Sequence, residues 1–344
     1  MMSVTTVFQG RLSQDTSVRL VQNAWQYSPQ GRWGGSATLD LGGRHSSADA
    51  VSAIMQIILD AKGNASVSID APQATASVGT GDGDDVIDIN AREVRVHSGN
   101  GNDTIAVDAH LVRMNAGDGN DNIDVTIGRH AGTGVSYILA GDGDDVVNAD
   151  VGGGGPLFIE GGAGDDTVSL VAHSAASIRG GRGDDTIDVV SEGAALFISG
   201  GDGDDKISID AERIYHVTGG RGDDTIALNN RSGGLSTIML AEGDGNDVVE
   251  TNGPLAIFRS SADGTHGLND ATITKLEDGV FEIVFADSND TLIVKLTGDM
   301  AKADDILLDQ DPVDGMMTIR SASLAITQVA TVTRSDFQTS TNRE

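Results

Sequence analysis

The chain has 344 residues with 22 basic and 52 acidic side chains, a formal net charge of −30 at pH 7. Nucleic acid is therefore not an expected partner, because its phosphates attract Lys and Arg. The sequence has no cysteine, which excludes disulfides and thiolate chemistry, and only 3% of its residues are aromatic, which argues against a platform for stacking bases or sugars.

Residues 1–63 are predicted to form a small α/β cap at the N-terminus. Trp25, Tyr27 and Trp33 lie among turn residues, so we expect short strands with these aromatics in a small core; a ligand pocket lined by them is the alternative. A capping-box pattern at residues 46–49 precedes apolar residues at helical spacing in residues 51–63. This pattern predicts a helix that covers the open end of the repeats that follow.

One loop motif then recurs nine times, reading Gly-x-Gly-x-Asp and, two residues later, Ile or Val. Each copy is counted from the residue before the first of these glycines, and the nine copies then begin at positions 80, 98, 116, 140, 161, 180, 200, 219 and 242. Such a period predicts a solenoid with one coil of chain for each copy, which we assign to residues 64–258. Residues 67–79 align with the segments between loops, so one coil without a loop is expected before the array.

Four positions of the loop are invariant in character. Glycine at the second and fourth positions is expected to adopt positive φ. The sixth position is always Asp: Asp85, Asp103, Asp121, Asp145, Asp166, Asp185, Asp205, Asp224 and Asp247. The aliphatic residue two positions later is predicted to point inward: Ile87, Ile105, Ile123, Val147, Val168, Ile187, Ile207, Ile226 and Val249.

Stacked coils would bring the Asp carboxylates of neighbouring loops to roughly 4.8 Å from one another. At that distance two unit charges repel by about 0.9 kcal/mol in water and about 3.5 kcal/mol at an effective dielectric of 20. A calcium ion between loops would reverse the sign, because calcium accepts carboxylate and backbone carbonyl oxygens. We therefore predict that the nine aspartates bind about eight calcium ions, one in each gap between loops.

Other ions and a metal-free turn fit the loops less well. Magnesium prefers a tight octahedron and keeps its waters, and zinc lacks its usual soft ligands here. Turn chemistry alone would favour Gly and Asp but does not require Asp at one fixed position. Nor does it require the further acids at the third position (Asp82, Asp118, Asp142, Asp202, Asp244) and the fifth (Asp84, Asp144, Asp165, Asp184, Asp204, Asp223).

The loop resembles the nonapeptide Gly-Gly-x-Gly-x-Asp-x-aliphatic-x of the repeats-in-toxin (RTX), hemolysin-type family. Four copies match it in full and five lack only the first glycine, and the resemblance covers roughly half the chain. It implies an all-β, right-handed parallel β-roll or β-helix that binds calcium. RTX rolls carry loops on both edges, whereas here the intervening half-coils lack the motif. We therefore expect one row of ions, and a metal-free far edge turned by Asx-type hydrogen bonds at Asn90, Asp108 and Asp210.

Residues 259–344 are predicted to form a β-rich cap after a last coil at residues 255–258. Alternating patterns at residues 272–276, 280–285 and 291–296, separated by turn residues, predict a β-meander that closes this end. Residues 322–344, rich in Ala, Ser, Thr and Val, resemble the C-terminal signal through which RTX-like proteins use a bacterial type I exporter; a disordered tail is the alternative.

The expected location is extracellular, with the export machinery as a partner. Residues 1–20 have no apolar stretch of signal-peptide length, and the longest apolar segment, residues 51–59, is too short to span a membrane. A partner at a cell surface or in a host is not identified by the sequence.

The sequence shows no catalytic motif. His-Glu-x-x-His and Gly-x-Ser-x-Gly are absent, and the seven histidines have no ligand spacing. We therefore expect a secreted, non-enzymatic calcium-binding protein whose roll folds when calcium binds. Two alternatives remain: a calcium-stiffened surface or matrix adhesin, and a small hydrolase or a protein that cleaves itself at Asp311-Pro312.

Overall fold

The computed structural model describes residues 4–9, 17–27, 33–42, 54–128, 134–153, 155–192, 196–214, 216–241, 243–260, 271–285, 288, 290–303, 306–310 and 316–322, with side chains from residue 63 onward. It is a parallel β-solenoid of about 10 turns with 71% of its residues in strands. The predicted all-β solenoid is therefore confirmed. No helix within these ranges is long and apolar enough to cross a bilayer.

Within the described part of residues 1–63, four strands precede the solenoid: β1 (Val4–Gln9), β2 (Ser17–Tyr27), β3 (Trp33–Gly42) and β4 (Ile54–Lys62). Strands β2 and β3 form an antiparallel pair in which Tyr27 lies opposite Trp33, so the predicted strands around these aromatics are confirmed. The predicted helix is wrong, because the described part of its apolar segment, residues 54–62, is strand β4 and no residue described in this cap is helical.

Two neighbours explain why this segment is a strand. It pairs antiparallel with β1 and parallel with the first strand of the solenoid, where Ile54 lies opposite Thr75. An exposed sheet edge offers unpaired N–H and C=O groups, and the β-branched residues Ile54, Ile57 and Ile58 favour an extended chain. The segment covers the open end of the solenoid as expected, but by strand pairing; residues 46–49 lie outside the described ranges.

The solenoid consists of 18 strands. They are β5 (Ala65–Asp82), β6 (Val86–Asn100), β7 (Thr104–Ala109), β8 (Leu111–Asp118), β9 (Asn122–Ile127), β10 (Ser136–Asp142), β11 (Val146–Val151), β12 (Leu157–Ala163), β13 (Thr167–Ala172), β14 (Ala176–Arg182), β15 (Thr186–Ser191), β16 (Leu196–Asp202), β17 (Lys206–Ala211), β18 (His216–Arg221), β19 (Thr225–Asn230), β20 (Ser236–Ala241), β21 (Asn246–Thr251) and β22 (Leu255–Ser260).

These strands form two parallel sheets, one on each side of the loops. The first sheet contains the strands that follow the loops, the odd-numbered strands from β7 to β21 with the first halves of β5 and β6. The second sheet contains the strands that precede the loops, the even-numbered strands from β8 to β22 with the second halves of β5 and β6. The loopless coil expected before the array is confirmed, because β5 pairs with β6 through both of its halves.

Strict alternation of buried and exposed positions builds the core between the sheets, as in β9. The nine aliphatic residues that follow the loops are all 0% or 1% exposed, which confirms their inward direction. They stack in register, with Ile105 opposite Ile87 on one side and Ile123 on the other. Burying each such side chain contributes about 1.5–3 kcal/mol, so this row is a principal source of stability.

The loop glycines allow neighbouring coils to approach closely. Both glycines of every loop have positive φ, as predicted. A Cβ on Gly99, where φ is 118°, would lie 2.0 Å from the carbonyl oxygen of Gly81 in the preceding coil. The loop therefore requires glycine both for its φ and for the space between coils.

The C-terminal cap contains β23 (Thr272–Glu277), β24 (Val280–Val284), β25 (Thr291–Leu296), a 3₁₀ turn at Met300–Lys302, β26 (Ile306–Gln310) and β27 (Met317–Ser321). Strands β23, β24 and β25 form the predicted antiparallel meander. Strand β25 extends the first sheet by pairing with β21, and β27 pairs antiparallel with β22. Both sheets are thus continued into the cap.

One buried cation joins the cap to the last coil. The Arg259 side chain is 0% exposed; its Nη2 donates to Ser288 Oγ at 2.9 Å and lies 3.5 Å from Asp290 Oδ2. The guanidinium also lies 4.3 Å from the centroid of the Phe285 ring. Because Asp290 Oδ2 accepts a hydrogen bond from the N–H of Gly243 at 2.7 Å, this cluster is continuous with the ninth loop.

Candidate metal-binding loops

The nine predicted site aspartates lie along one edge of the solenoid, at the turns between the second sheet and the first. Each side chain is only 1–3% exposed. A sequence in which Asp recurs at this position thus buries nine carboxyl groups in one row. Ionised carboxylates are costly to bury unless they are paired or bind a cation.

Hydrogen bonds link these aspartates into a ladder along the solenoid axis, which we call the inner ladder. Asp85 donates its backbone N–H to Asp103 Oδ1 at 2.8 Å, Asp103 donates to Asp121, and the pattern continues to Asp247. The N–H of Ala65 starts the ladder by donating to Asp85 Oδ1 at 2.7 Å. Each carboxylate therefore uses one oxygen to accept from the backbone of the preceding coil.

The second carboxylate oxygen has no partner in eight of the loops. Oδ2 is buried without a hydrogen-bond donor in Asp85, Asp103, Asp121, Asp145, Asp166, Asp185, Asp205 and Asp224. In the four full Gly-Gly loops this oxygen packs against the first glycine; a Cβ on Gly219 would lie 1.8 Å from Asp224 Oδ2. Eight orphaned carboxyl oxygens in a row make this edge a candidate cation site.

Burial changes the acidity of these groups. Desolvation raises the pKa of Asp103, Asp166, Asp205, Asp224 and Asp247 to about 7 and that of Asp121, Asp145 and Asp185 to about 6, from an ordinary value of 3.8. Burial likewise raises the pKa of Asp85. Hydrogen bonds from the backbone oppose this shift without cancelling it, so in the absence of a cation these carboxyl groups hold protons near neutral pH.

A second ladder runs along the surface of the same edge in the opposite sense. Here the side chain of the fifth loop residue accepts a hydrogen bond from the backbone N–H of the fifth loop residue in the following coil. For example, Asp184 Oδ1 accepts from the N–H of Asp204 at 2.8 Å. This outer ladder contains Asn64, Asp84, Asn102, Asn120, Asp144, Asp165, Asp184, Asp204, Asp223 and Asn246, joined by bonds of 2.8–3.2 Å.

The outer ladder contains asparagines that the sequence analysis missed. Asn102, Asn120 and Asn246 occupy the same loop position as its aspartates, and that shared position was the available signal. An amide can replace a carboxylate there because only one acceptor oxygen is used. At the sixth position no loop has Asn, so the negative charge itself is the constant feature of the inner ladder.

The acids at the third loop position differ from one another. Asp82, Asp118, Asp142 and Asp202 are exposed, and Asp82 accepts a hydrogen bond from Asn100 Nδ2 at 2.9 Å. Asp244 is buried, and desolvation raises its pKa to about 6. The third position therefore contributes an exposed negative charge in four of the nine loops.

The far edge uses a different set of contacts. Asn90 donates from Nδ2 to Asp70 Oδ1 of the preceding coil at 2.8 Å, so it links two coils and does not only close its own turn. Asp210 faces Arg231 at 2.7 Å, and the Nη2 of Arg231 also donates to the carbonyl of Ser191, two coils away. These contacts connect neighbouring coils at Asn90 and Asp210, and the Asx-type turns expected at Asn90, Asp108 and Asp210 stay a prediction.

Carboxylates alone do not complete a metal centre in this structure. Among the described residues no three His, Cys, Asp or Glu side chains converge on a common point. A cation in the loops would therefore need backbone carbonyls besides the orphaned Oδ2 atoms, which is a donor set that calcium accepts.

Asp311-Pro312 lies outside the described residues, so both interpretations of this pair, a turn and a self-cleavage site, stay predictions. A scan of protein-family models and a search of curated proteins find no match to this chain.

The raised pKa values predict that the calcium-free solenoid loses stability as pH rises. The folded state holds protons on the inner ladder up to about pH 7, whereas the unfolded chain releases them near 3.8. The free energy of unfolding should therefore fall between about pH 4 and pH 7 and level off above. Circular dichroism and thermal unfolding of metal-stripped protein at pH 5.5 and pH 8 measure this, as a weaker β signal or a lower melting temperature at pH 8. A melting temperature that is higher at pH 8 would contradict the assignment.

Proposed function

We propose that this chain is a secreted calcium-binding repeat protein without catalytic activity, in which ion binding along the loop edge is coupled to folding of the solenoid. The observation that carries the proposal is the row of eight buried aspartates whose Oδ2 atoms lack any donor. Each would contribute this oxygen to a calcium ion, together with carbonyls of the glycine-rich backbone. Bound calcium would supply the positive charge that this part of the fold lacks.

Charge and burial both support the coupling. A formal charge of −30 opposes compaction of the chain, and the inner ladder adds the cost of removing carboxylates from water. Binding energy at such a site is available only when coils stack, so it contributes to folding directly. Calcium affinities of extracellular modules, roughly 10⁻⁴ to 10⁻³ M, would leave the loops empty in a cell and filled outside it.

Circular dichroism with added calcium tests this function. The metal-stripped protein at pH 8 should gain β signal when calcium is raised to about 5 mM, a level well above the expected dissociation constants. Magnesium at the same concentration is the matched control and should have a smaller effect, because it dehydrates reluctantly. No calcium-dependent change in β signal or in melting temperature would count against the proposal.

Export would follow from the same coupling. We include in the proposal that residues 322–344 direct export, without an N-terminal signal peptide, of a chain kept expanded at low calcium. Their removal should retain the protein inside a producing bacterial cell that carries a type I exporter, while leaving calcium-induced folding unchanged. Release of the shortened chain at the full rate would contradict this part.

A further inference from the structure

The outward face of the second sheet carries an aligned row of aromatic side chains. Strand register places Tyr137, Phe158, Ser177, Phe197 and His216 side by side on consecutive coils. The rings of Tyr137 and Phe158 stack at 5.2 Å, and those of Phe197 and His216 lie 5.6 Å apart. Tyr137, Phe158 and Phe197 are each 40–49% exposed, so this aromatic face is an apolar ridge in contact with solvent.

The two central outward rows of this sheet, which form the aromatic face, are positively charged although the chain is strongly acidic. The aromatic row continues through Arg113 to Arg95, and Arg179 lies in the adjacent outward row with Glu160. Three arginines against one glutamate give these two rows a formal charge of +2. A cationic, aromatic surface of this kind is suited to an acidic partner that also offers apolar contacts.

The outward face of the first sheet has the complementary composition. Over the same coils its two outward rows along the far-edge half contain Asp88, Asp108, Asp124, Asp150, Asp188 and Asp210 and no Lys or Arg. Arg231 pairs with Asp210, and the other five aspartates keep these two rows negatively charged.

Apolar side chains lie within this acidic face. Val171 and Val190 are adjacent in register, are both 45% exposed, and line a shallow groove with Asp124, Asp150 and Asp188. The acidic face therefore presents aliphatic side chains flanked by carboxylates.

We propose that the aromatic face of one chain docks on the acidic face of a second copy, so that solenoids associate side by side. The two faces carry opposite charge, each has an apolar centre, and both repeat with the same coil spacing of roughly 4.8 Å. Charged pairs would set the orientation of the two chains while the aromatic rings cover the valine groove. Since the two faces are different surfaces, the contact is heterologous and leaves a free face on each end of an assembly.

The size of the contact determines its strength. Seven coils by about five residues correspond to roughly 34 Å by 16 Å, or about 550 Å² for each partner. Stable complexes bury about 800 Å² for each partner, so this association is expected in the micromolar range. Both faces lie away from the loop edge, so the contact requires the folded solenoid but no metal ligand.

Sedimentation velocity with charge-reversed variants tests the contact. Folded protein in calcium should shift from monomer to species larger than dimer as its concentration rises from about 1 to 300 µM. The aromatic-face variant Arg113→Glu/Arg179→Glu and the acidic-face variant Asp150→Lys/Asp188→Lys should each remain monomeric. An equimolar mixture of the two should associate, because the aromatic-face variant retains an intact acidic face and the acidic-face variant retains an intact aromatic face.

Two further variants control for fold and for charge. Phe158→Ser changes no charge and should weaken association about tenfold. Lys302→Glu, on the exposed 3₁₀ turn, changes charge outside both faces and should associate like the unchanged chain. Circular dichroism checks that all variants are folded. A folded chain that stays monomeric throughout would overturn the proposal, and so would a mixture that fails to associate. Undiminished association of the acidic-face variant alone would indicate pairing of two aromatic faces and would also overturn it.

Discussion

Gly181→Ala should destabilise the solenoid by about 4 kcal/mol or more, a loss at the upper end of single substitutions. The new Cβ would lie 2.0 Å from the carbonyl oxygen of Gly162, and φ at this position is 135°. The contact is with backbone of the preceding coil, which cannot yield without breaking the register of both ladders. Urea denaturation in saturating calcium measures the loss.

Gly233→Ala is the matched control for this substitution. Gly233 also has positive φ, at 66°, but a Cβ added to it would have no atom within 4 Å. Its replacement should cost only about 1 kcal/mol, the usual penalty for a left-handed non-glycine residue. Equal losses for the two variants would show that spacing between coils is not what the loop glycines provide.

Asp185→Asn should have effects of opposite sign with and without calcium. In chelator at pH 8 the substitution removes a carboxylate whose pKa burial raises to about 6, and Asn Oδ1 can still accept from the N–H of Asp166. The calcium-free protein should therefore gain about 1–3 kcal/mol. In calcium it should lose stability and bind one or two fewer ions, because an amide is a weaker ligand than a carboxylate.

Asp184→Asn is the control within the same loop. Asp184 belongs to the outer ladder, where three other loops already have Asn, so its replacement should leave both stability and ion number nearly unchanged. Chemical denaturation and calorimetry of the two variants give the comparison. A calcium-free Asp185→Asn protein that is less stable than the parent, or equal ion numbers for parent and variant, would contradict the role assigned to the inner ladder.

Periodicity made the solenoid and its core predictable from sequence. The loop motif fixes one coil for each copy, and the aliphatic residue two positions after Asp marks the inward face in every coil. The C-terminal meander followed from alternation between turn residues. These features depend on residues close together in the chain, which is why a single sequence reveals them.

Features that depend on contacts between distant segments were not predictable in this way. Residues 54–62 fit helical spacing, but pairing with β1 and β5 at a sheet edge makes them a strand. The two hydrogen-bond ladders and the aromatic face depend on strand register across coils that differ in length from 18 to 24 residues. Only when the coils are aligned do Phe158 and Phe197 meet the row of Tyr137 and His216.

Isothermal titration calorimetry of calcium into metal-stripped protein tests the central claim most directly, since that claim assigns a cation to the orphaned Oδ2 atoms of the inner ladder. The account predicts uptake of about eight ions at submillimolar to millimolar calcium, coupled to a gain of β structure. No heat of binding up to about 10 mM calcium, or uptake that is unchanged when Asp185 and Asp205 are both replaced by Asn, would contradict it.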